Sequence, residues 1–151
     1  MPTVGIVIGS KTDKPIIEST EKVLDDLGVE YESVVISAHR NPEKLRDWVL
    51  DAPNRGIEVF IAGAGGAAAL PGAVASWTTS PVIGIPVPSS QIGGIDSLFS
   101  IVQMPPGIPV ACVAVGDWGA RNAAYFAAQI LGIKYKEIRD ANVEYRSSLK
   151  N

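Results

Sequence analysis

The segment Thr3-Val4-Gly5-Ile6-Val7-Ile8 is the first of five short apolar runs that decide the fold. It is nearly continuous in Val and Ile, as expected for a strand that is covered on both faces of a sheet. Helix-like segments separate most of these runs, and such a βαβα series predicts a doubly wound parallel sheet between helical layers. A 2-1-3-4-5 strand order is the natural expectation. The other four runs are Tyr31–Ile36, Glu58–Ala62, Val82–Ile85 and Pro109–Ala114.

Start and stop signals place helices between these strands. Asp13 is expected to be the N-cap of the first helix, and Gly28 fits the left-handed residue past its C-terminus. A second helix is expected after Asn41-Pro42. A third, small and apolar, is expected to be buried, and another subunit is one surface that could cover it. The later helical segments, from the third onward, are 68–78, 96–102, 118–131 and an amphipathic arm, 135–150. Because the arm follows a completed sheet, we expect its apolar face to pack on a neighbouring chain.

Composition excludes several classes of protein. The 151 residues are expected to form one domain, with an α/β core over 1–131 and the arm over 132–151. A net charge of −3 without a Lys/Arg block argues against nucleic-acid binding. The single cysteine, Cys112, and the single histidine, His39, cannot build a Cys/His zinc site, and no metal is expected. Cys112 is expected to be a buried strand residue without a disulfide, as in a reducing compartment.

The chain is predicted to be cytoplasmic. No basic n-region or cleavage pattern of a signal peptide precedes the first strand-like run. The apolar runs are broken well short of about 18 residues, so no membrane span is expected.

Loops follow the first three strands, and the carboxyl ends of parallel strands meet at one edge of a sheet. The first loop, Gly9-Ser10-Lys11-Thr12-Asp13, lacks the spacing of a Walker A motif. Ser10 and Asp13 could still contact a phosphorylated ligand at a helix N-terminus, or they could simply cap the helix. The sequence leaves both interpretations open.

The second loop, Ser37-Ala38-His39-Arg40, combines a side chain that titrates near neutrality with a permanent cation. Arg40 can bind phosphate through two hydrogen bonds, and His39 can accept or release a proton. The third loop, 63–72, is rich in glycine, which allows a ligand to approach the backbone closely or a helix to pack tightly on a strand. Together, the three loops favour a site for a phosphorylated small molecule.

Six motifs stand in the order found in a known family. The motifs are Gly9-Ser10-x-x-Asp13, Ser37-Ala38-His39-Arg40, Ala62-Gly63-Ala64-Gly65-Gly66-Ala67-Ala68, Leu70-Pro71-Gly72, Asp96-Ser97-Leu98-x-Ser100-Ile101-Val102-Gln103-Met104-Pro105 and Gly119-Ala120-x-Asn122-Ala123. With them the chain resembles, from about residue 3 to residue 131, the N5-carboxyaminoimidazole ribonucleotide mutases of purine biosynthesis, also described as the catalytic subunit of phosphoribosylaminoimidazole carboxylase.

This resemblance implies a three-layer flavodoxin-like domain, assembled as a homo-octamer with active sites at subunit junctions and without a cofactor. It also implies that a carboxylate moves from the exocyclic nitrogen of the ribonucleotide to ring carbon C4. Ser10 and Arg40 would hold the phosphate, Asp13 would contact the ribose, and His39 would be the general acid and base. The other substrate-binding residues that the resemblance implies are Ser37, Ala38, Gly65, Gly66, Ala67, Ala69 and Leu70.

The chain departs from this family at two places. Members similar to it usually have histidine where this chain has Ala69, and small residues are more usual than Asp117-Trp118. Three functions therefore remain as alternatives: the mutase, direct carboxylation of aminoimidazole ribonucleotide with carbon dioxide, and ribonucleotide binding without this catalysis. A flavin-binding electron carrier has only the fold in its favour. Trp118 is expected to be an interface residue, or else to fill space.

Overall fold

The computed structural model describes residues 1–150 and has one five-stranded parallel sheet in the order β2-β1-β3-β4-β5. Fold class and strand order are therefore as the sequence predicts. The register aligns Ile8 of β1 with Val35 of β2 and with Gly63 of β3, so these strands end at one edge. The strands are β1 (Val4–Ile8), β2 (Tyr31–Val35), β3 (Val59–Gly65), β4 (Val82–Val87) and β5 (Ala111–Cys112).

Six α-helices and two 3₁₀ turns connect and cover these strands within the described residues. The third helix is shorter than the expected 68–78, because β3 continues to Gly65 and a turn follows it. The helices are α1 (Lys14–Asp26), α2 (Pro42–Asp51), α3 (Leu70–Ser76), α4 (Ile95–Val102), α5 (Asp117–Leu131) and α6 (Lys136–Ser148), with 3₁₀ turns at Lys11–Asp13 and Ala52–Arg55. Gly28 has a φ of +69°, as expected for the residue past α1.

The alternation of side chains along the strands divides the core into two layers. On one face, Val4, Ile6 and Ile8 of β1 pack in a cluster with α1, α5 and α6. On the other face, Val7 packs in a cluster with residues of α2, α3 and α4. The apolar residues of α3 are buried within this second cluster, so the expected burial of that helix is achieved inside the chain.

The two edge strands differ from the expectation of strands covered on both faces. All residues of β1 are buried, whereas β2 is only half-buried because it has a neighbour on one side alone. The expected strand over 109–114 is reduced to β5, which has two residues. Cys112 lies on this short edge strand and is half-buried rather than buried, so the expectation of full burial is wrong. It is a free thiol whose pKa is raised by desolvation.

The C-terminal arm forms α6, which packs against α5 of the same chain through Ile138 and Tyr145. The Tyr145 ring stacks on Tyr125 with the ring centroids 4.5 Å apart. Val143 and Leu149 remain exposed. Contact of the arm with a neighbouring subunit stays a prediction that concerns these exposed residues. Among the described residues, no helix is long and apolar enough to cross a membrane.

Candidate active site

A cavity of about 260 Å³ opens at the carboxyl edge of β1 to β4. It brings together residues from all three loops singled out in the sequence. Ten of the proposed site residues line it: Ser10, Asp13, Ser37, Ala38, His39, Arg40, Gly65, Ala67, Ala69 and Leu70. The cavity is also lined by Gly9, Thr12, Ala64, Ala68 and Ser89, which were not proposed.

Gly66 is the one proposed binding residue that does not line the cavity. Its φ of +58° lies in the left-handed region that favours glycine. Gly66 therefore turns the chain from β3 toward α3 and presents its neighbours Gly65 and Ala67 to the cavity.

The loop after β1 forms a 3₁₀ turn that Ser10 caps. The Ser10 hydroxyl accepts a hydrogen bond from the Thr12 backbone N–H at 3.3 Å and lies 2.9 Å from Thr12 Oγ1. The expected capping by Asp13 is wrong: Asp13 occupies the N-cap position of α1, but its side chain makes no capping hydrogen bond. The intervening 3₁₀ turn gives the capping role to Ser10.

Asp13 is a buried residue, 6% exposed, and it lines the cavity. Within residues 1–150 it takes part in no hydrogen bond or ion pair, and desolvation by burial raises its pKa. A buried carboxylate without a partner lowers stability, and such perturbed groups concentrate at functional sites. Asp13 is therefore available to accept hydrogen bonds from a ligand.

Asp13→Asn is expected to raise Tm at pH 7 while weakening ligand binding. The raised pKa means that the folded chain binds the Asp13 proton more tightly than the unfolded chain does, so the free energy of unfolding falls as pH rises through and above 3.8. The asparagine amide of the variant does not ionise, so this fall in the free energy of unfolding does not occur. The gain in Tm should therefore be larger at pH 7 than at pH 3.5, as measured by thermal unfolding at both values.

Glu18→Gln is the matched control, because Glu18 is an exposed carboxylate on the same helix. For this variant, the difference between the Tm at pH 7 and the Tm at pH 3.5 should equal that of the parent protein. A lower Tm for Asp13→Asn than for the parent protein at pH 7 would contradict the interpretation.

The turn after β2 is fixed at both ends. The Ser37 hydroxyl accepts a hydrogen bond from the Arg40 backbone N–H at 3.2 Å, and the Asn41 N–H donates to the Ser37 carbonyl. The Asn41 side chain caps α2 by accepting from the Lys44 N–H. His39 and Arg40 are exposed, and in the described chain their side chains form no hydrogen bond or ion pair. Both are therefore held in place by the backbone with their side chains free for a ligand.

The wall formed by β3 and the segment after it carries no charge. Gly65 is half-buried, whereas Ala67 and Ala69 are exposed at the cavity rim. Because residue 69 is alanine, this wall contributes no imidazole to the cavity. His39, the single histidine of the chain, supplies the imidazole of the cavity.

Ser89 is a cavity residue that the sequence reasoning missed. It lies two residues past β4, in a segment rich in Ser, Gly and Pro that carries no motif by itself. A usable signal did exist, because the rule that placed the first three loops at the carboxyl edge applies equally to the residues after the fourth strand.

A larger cavity of about 470 Å³ lies at the other end of the sheet. Thr78 to Ile83, the segment from Gly107 to Ala111, and Phe126 contribute to its lining, which contains no titratable side chain. It cannot supply proton transfer. The candidate active site is the cavity of about 260 Å³, because it brings together His39, Arg40 and Asp13 from the predicted loops. Within the described residues, no three His, Cys, Asp or Glu side chains are grouped so that they could hold a metal ion.

Comparison with known proteins identifies the family of this chain. The family model described as AIR carboxylase matches residues 3–151, which include every loop of the cavity. The chain belongs to the AIR carboxylase family. The N5-carboxyaminoimidazole ribonucleotide mutase of Pyrococcus abyssi is 55% identical over 150 residues, covering 99% of this chain and 85% of that protein. The protein of the same name from Thermotoga maritima is 53% identical, with 99% and 86% covered.

The fold of this AIR carboxylase family member is also similar to that of solved structures. The crystal structure of Treponema denticola PurE superposes with a TM-score of 0.87 at 31% sequence identity, covering 99% of this chain and 92% of that one. The flavodoxin-like α/β fold expected from the sequence is thereby confirmed. Since the match spans nearly the whole of both chains, α6 belongs to the matched region.

Trp118, one of the two departures from the usual family sequence, is 73% exposed. It therefore does not fill space inside this chain. Its neighbour Asp117 accepts a hydrogen bond from Ser19 of α1 and pairs with Arg121. The expectation that Trp118 is an interface residue remains a prediction.

Proposed function

We propose that this chain is an N5-carboxyaminoimidazole ribonucleotide mutase of purine biosynthesis, an isomerase that moves a carboxylate from the exocyclic nitrogen to C4 of the imidazole. The observation that carries the proposal is the cavity itself. It joins one imidazole, one guanidinium and one buried carboxylate in a chain that is 55% identical to a protein of that name.

Each charged group in the cavity has a proposed role. Arg40, together with the Ser10 hydroxyl at the start of the 3₁₀ turn, binds the phosphate. Asp13, which has no hydrogen-bond or ion-pair partner among residues 1–150, accepts hydrogen bonds from the ribose hydroxyls. The uncharged residues Ala64, Gly65 and Ala67 lie against the imidazole ring of the substrate and confine carbon dioxide. The other proposed contacts are Ser37, Ala38, Ala69 and Leu70.

His39 moves the proton. As the carbamate N–C bond breaks, the imidazolium of His39 gives a proton to the exocyclic nitrogen, and carbon dioxide is released into the cavity. When the C4–C bond forms, the neutral imidazole takes the proton lost from C4, so the reaction requires no net proton. A single imidazole, which can both give and accept a proton, suits both half-reactions.

The experiment that tests the function is conversion of the purified carbamate ribonucleotide to the C4-carboxylate. The protein must accelerate this conversion above the rate in free solution. Direct carboxylation of aminoimidazole ribonucleotide is the competing reaction, and the same cavity residues could serve it. Parallel assays with the carbamate and with aminoimidazole ribonucleotide plus bicarbonate separate the two, and the mutase predicts the higher kcat/KM with the carbamate. Tight ribonucleotide binding with neither reaction would favour the non-catalytic alternative.

Ala69→His tests whether the site depends on the alanine. The exposed position of Ala69 at the cavity rim leaves room for a larger side chain. If the parent cavity lacks a useful hydrogen-bonding group, the variant should gain about tenfold in kcat/KM, the worth of one well-placed hydrogen bond. Steady-state kinetics on the carbamate measure it. Glu43→Gln, an exposed substitution outside the cavity lining, is the control and should change kcat/KM less than threefold. No gain for Ala69→His would mean that the loop is adapted to alanine.

The proposal includes assembly as a homo-octamer with the active site at a subunit junction, and a cytoplasmic location without cofactor or nucleic acid. Two features support the junction. The cavity is smaller than the roughly 300–1,000 Å³ usual for ligand sites, so a neighbouring subunit would add walls. Ile95, Phe99 and Val102 form an exposed apolar face on α4. Light scattering on the purified protein tests the oligomeric state.

A further inference from the structure

Ser89 brings a hydroxyl to the wall of the cavity that β3 forms. A Cβ atom built on Gly65 would lie 1.8 Å from Ser89 Oγ, so the hydroxyl occupies the space that a side chain at position 65 would need. Ser89 is held there by its backbone N–H, which donates to the Val87 carbonyl at 2.9 Å. Within residues 1–150 the Ser89 hydroxyl forms no hydrogen bond. It is therefore positioned by the backbone and available to a ligand.

The polar groups of the cavity are distributed unevenly along the sheet edge. Arg40 follows β2 and Ser10 follows β1, whereas the β3 wall contributes only small apolar residues to the lining. Ser89 follows β4 and, among the described residues that line the cavity, is the only polar side chain at this end. With strands about 4.8 Å apart, three spacings separate the β2 and β4 ends by about 14 Å. That distance suits a ribonucleotide lying along the edge, with its phosphate at the cationic end.

We propose that the Ser89 hydroxyl binds the carboxyl group in transit between the exocyclic nitrogen and C4. This inference rests on the proposed function and concerns the same site. With the phosphate at Arg40 and the ribose at Asp13, the ring reaches the uncharged end, where Ser89 is the available side-chain donor. A carboxylate or carbon dioxide oxygen accepts one hydrogen bond from the Ser89 O–H, while His39 lines the cavity from the opposite side.

The hydroxyl acts on the step between the two half-reactions. The N–C bond has broken, the nitrogen has its proton from His39, and the C4–C bond has not yet formed. Carbon dioxide at this point either attacks C4 or diffuses away, leaving aminoimidazole ribonucleotide. A hydrogen-bond donor that holds one oxygen of carbon dioxide keeps the carbon atom near C4. This contact requires no transfer of charge to the protein. Ser89 is thus a positioning group for the migrating carbon, and proton transfer remains with His39.

Ser89→Ala is expected to lower kcat about tenfold. It should also raise several-fold the fraction of carbamate turned over that is released as aminoimidazole ribonucleotide and carbon dioxide. The measurement is the ratio of the two products, with ¹³C-bicarbonate in the buffer to detect escaped and recaptured carbon dioxide by label in the C4-carboxylate. A purely structural role for Ser89 would lower the rate without changing this ratio or the labelling.

Ser90→Ala is the matched control. Ser90 adjoins Ser89, but its hydroxyl accepts a hydrogen bond from the Ile92 N–H and does not line the cavity. Its product ratio should equal that of the parent protein. Gly65→Ala is a second test, because the new Cβ displaces the Ser89 hydroxyl. It should shift the product ratio as Ser89→Ala does, and the double variant should add little further change.

The outcomes separate this inference from the function on which it rests. If the parent protein does not convert the carbamate, the proposed function fails. If the parent protein converts it, and Ser89→Ala keeps the same product ratio and labelling, the role of Ser89 is overturned while the function stands.

Discussion

His39→Asn is expected to reduce kcat on the carbamate ribonucleotide by about 10²- to 10⁴-fold, the range for loss of a general acid and base. His39 is the only histidine in the chain, so no second imidazole in the cavity can take over its role. Asparagine keeps a polar side chain of similar reach but cannot exchange a proton near neutral pH. The measurement is steady-state turnover of the carbamate, corrected for its breakdown in solution.

Binding must be measured beside turnover in this variant. The phosphate contacts proposed for Ser10 and Arg40 are untouched, so the affinity for the C4-carboxylate product should change only a few-fold in calorimetry. Glu43→Gln, an exposed substitution in the first turn of α2, is the control and should keep full activity. Near-normal turnover by His39→Asn would remove the basis of the proposed mechanism.

Gly119→Ala is expected to destabilise the fold by about 3 kcal/mol or more. A Cβ atom at this third residue of α5 would lie 1.6 Å from the Ala114 carbonyl oxygen and 2.6 Å from its carbonyl carbon. These are backbone atoms, and the same segment is fixed to the sheet by the hydrogen bond from the Gly116 N–H to the Pro86 carbonyl. The obstacle therefore cannot rotate away. Thermal unfolding should show a fall in Tm of about 6–12 °C.

The sign of this effect is informative, because Gly→Ala within a helix ordinarily stabilises by roughly 0.5–1 kcal/mol. Gly72→Ala in α3 is the matched control. Its Cβ would meet Met104 Sδ at 3.1 Å, the end of a flexible side chain that can move. The control should change the free energy of unfolding by about 1 kcal/mol or less. Equal Tm values for Gly119→Ala and the parent protein would contradict the close approach of α5 to Ala114.

The sheet and the first two loops of the cavity could be predicted because their signals are local. Continuous apolar runs such as Thr3–Ile8 mark strands buried on both faces, and parallel strands share a carboxyl edge. The sequence therefore predicts His39 and Arg40 at that edge, and both line the cavity. The family resemblance added roles that no pattern of hydrophobicity contains.

The remaining details depend on contacts that sequence patterns do not encode. Asp13 is a suitable N-cap by residue type, but a 3₁₀ turn places Ser10 at the cap and leaves the carboxylate buried. Cys112 belongs to an apolar run, yet it lies on an edge strand that has a neighbour on one side only. Ser89 enters the cavity because Gly65 provides the space, a relation between the last residue of β3 and a residue in the loop after β4.

The cavity takes its residues from four successive crossovers, those after β1, β2, β3 and β4. No pair of neighbouring segments contains the whole set, since Arg40 and Ser89 are contributed by strands at opposite ends of that row. Catalytic competence is consequently a property of the fully folded chain. A partly folded intermediate, however compact, would lack one end of the site, and refolding would restore activity only in its final cooperative step.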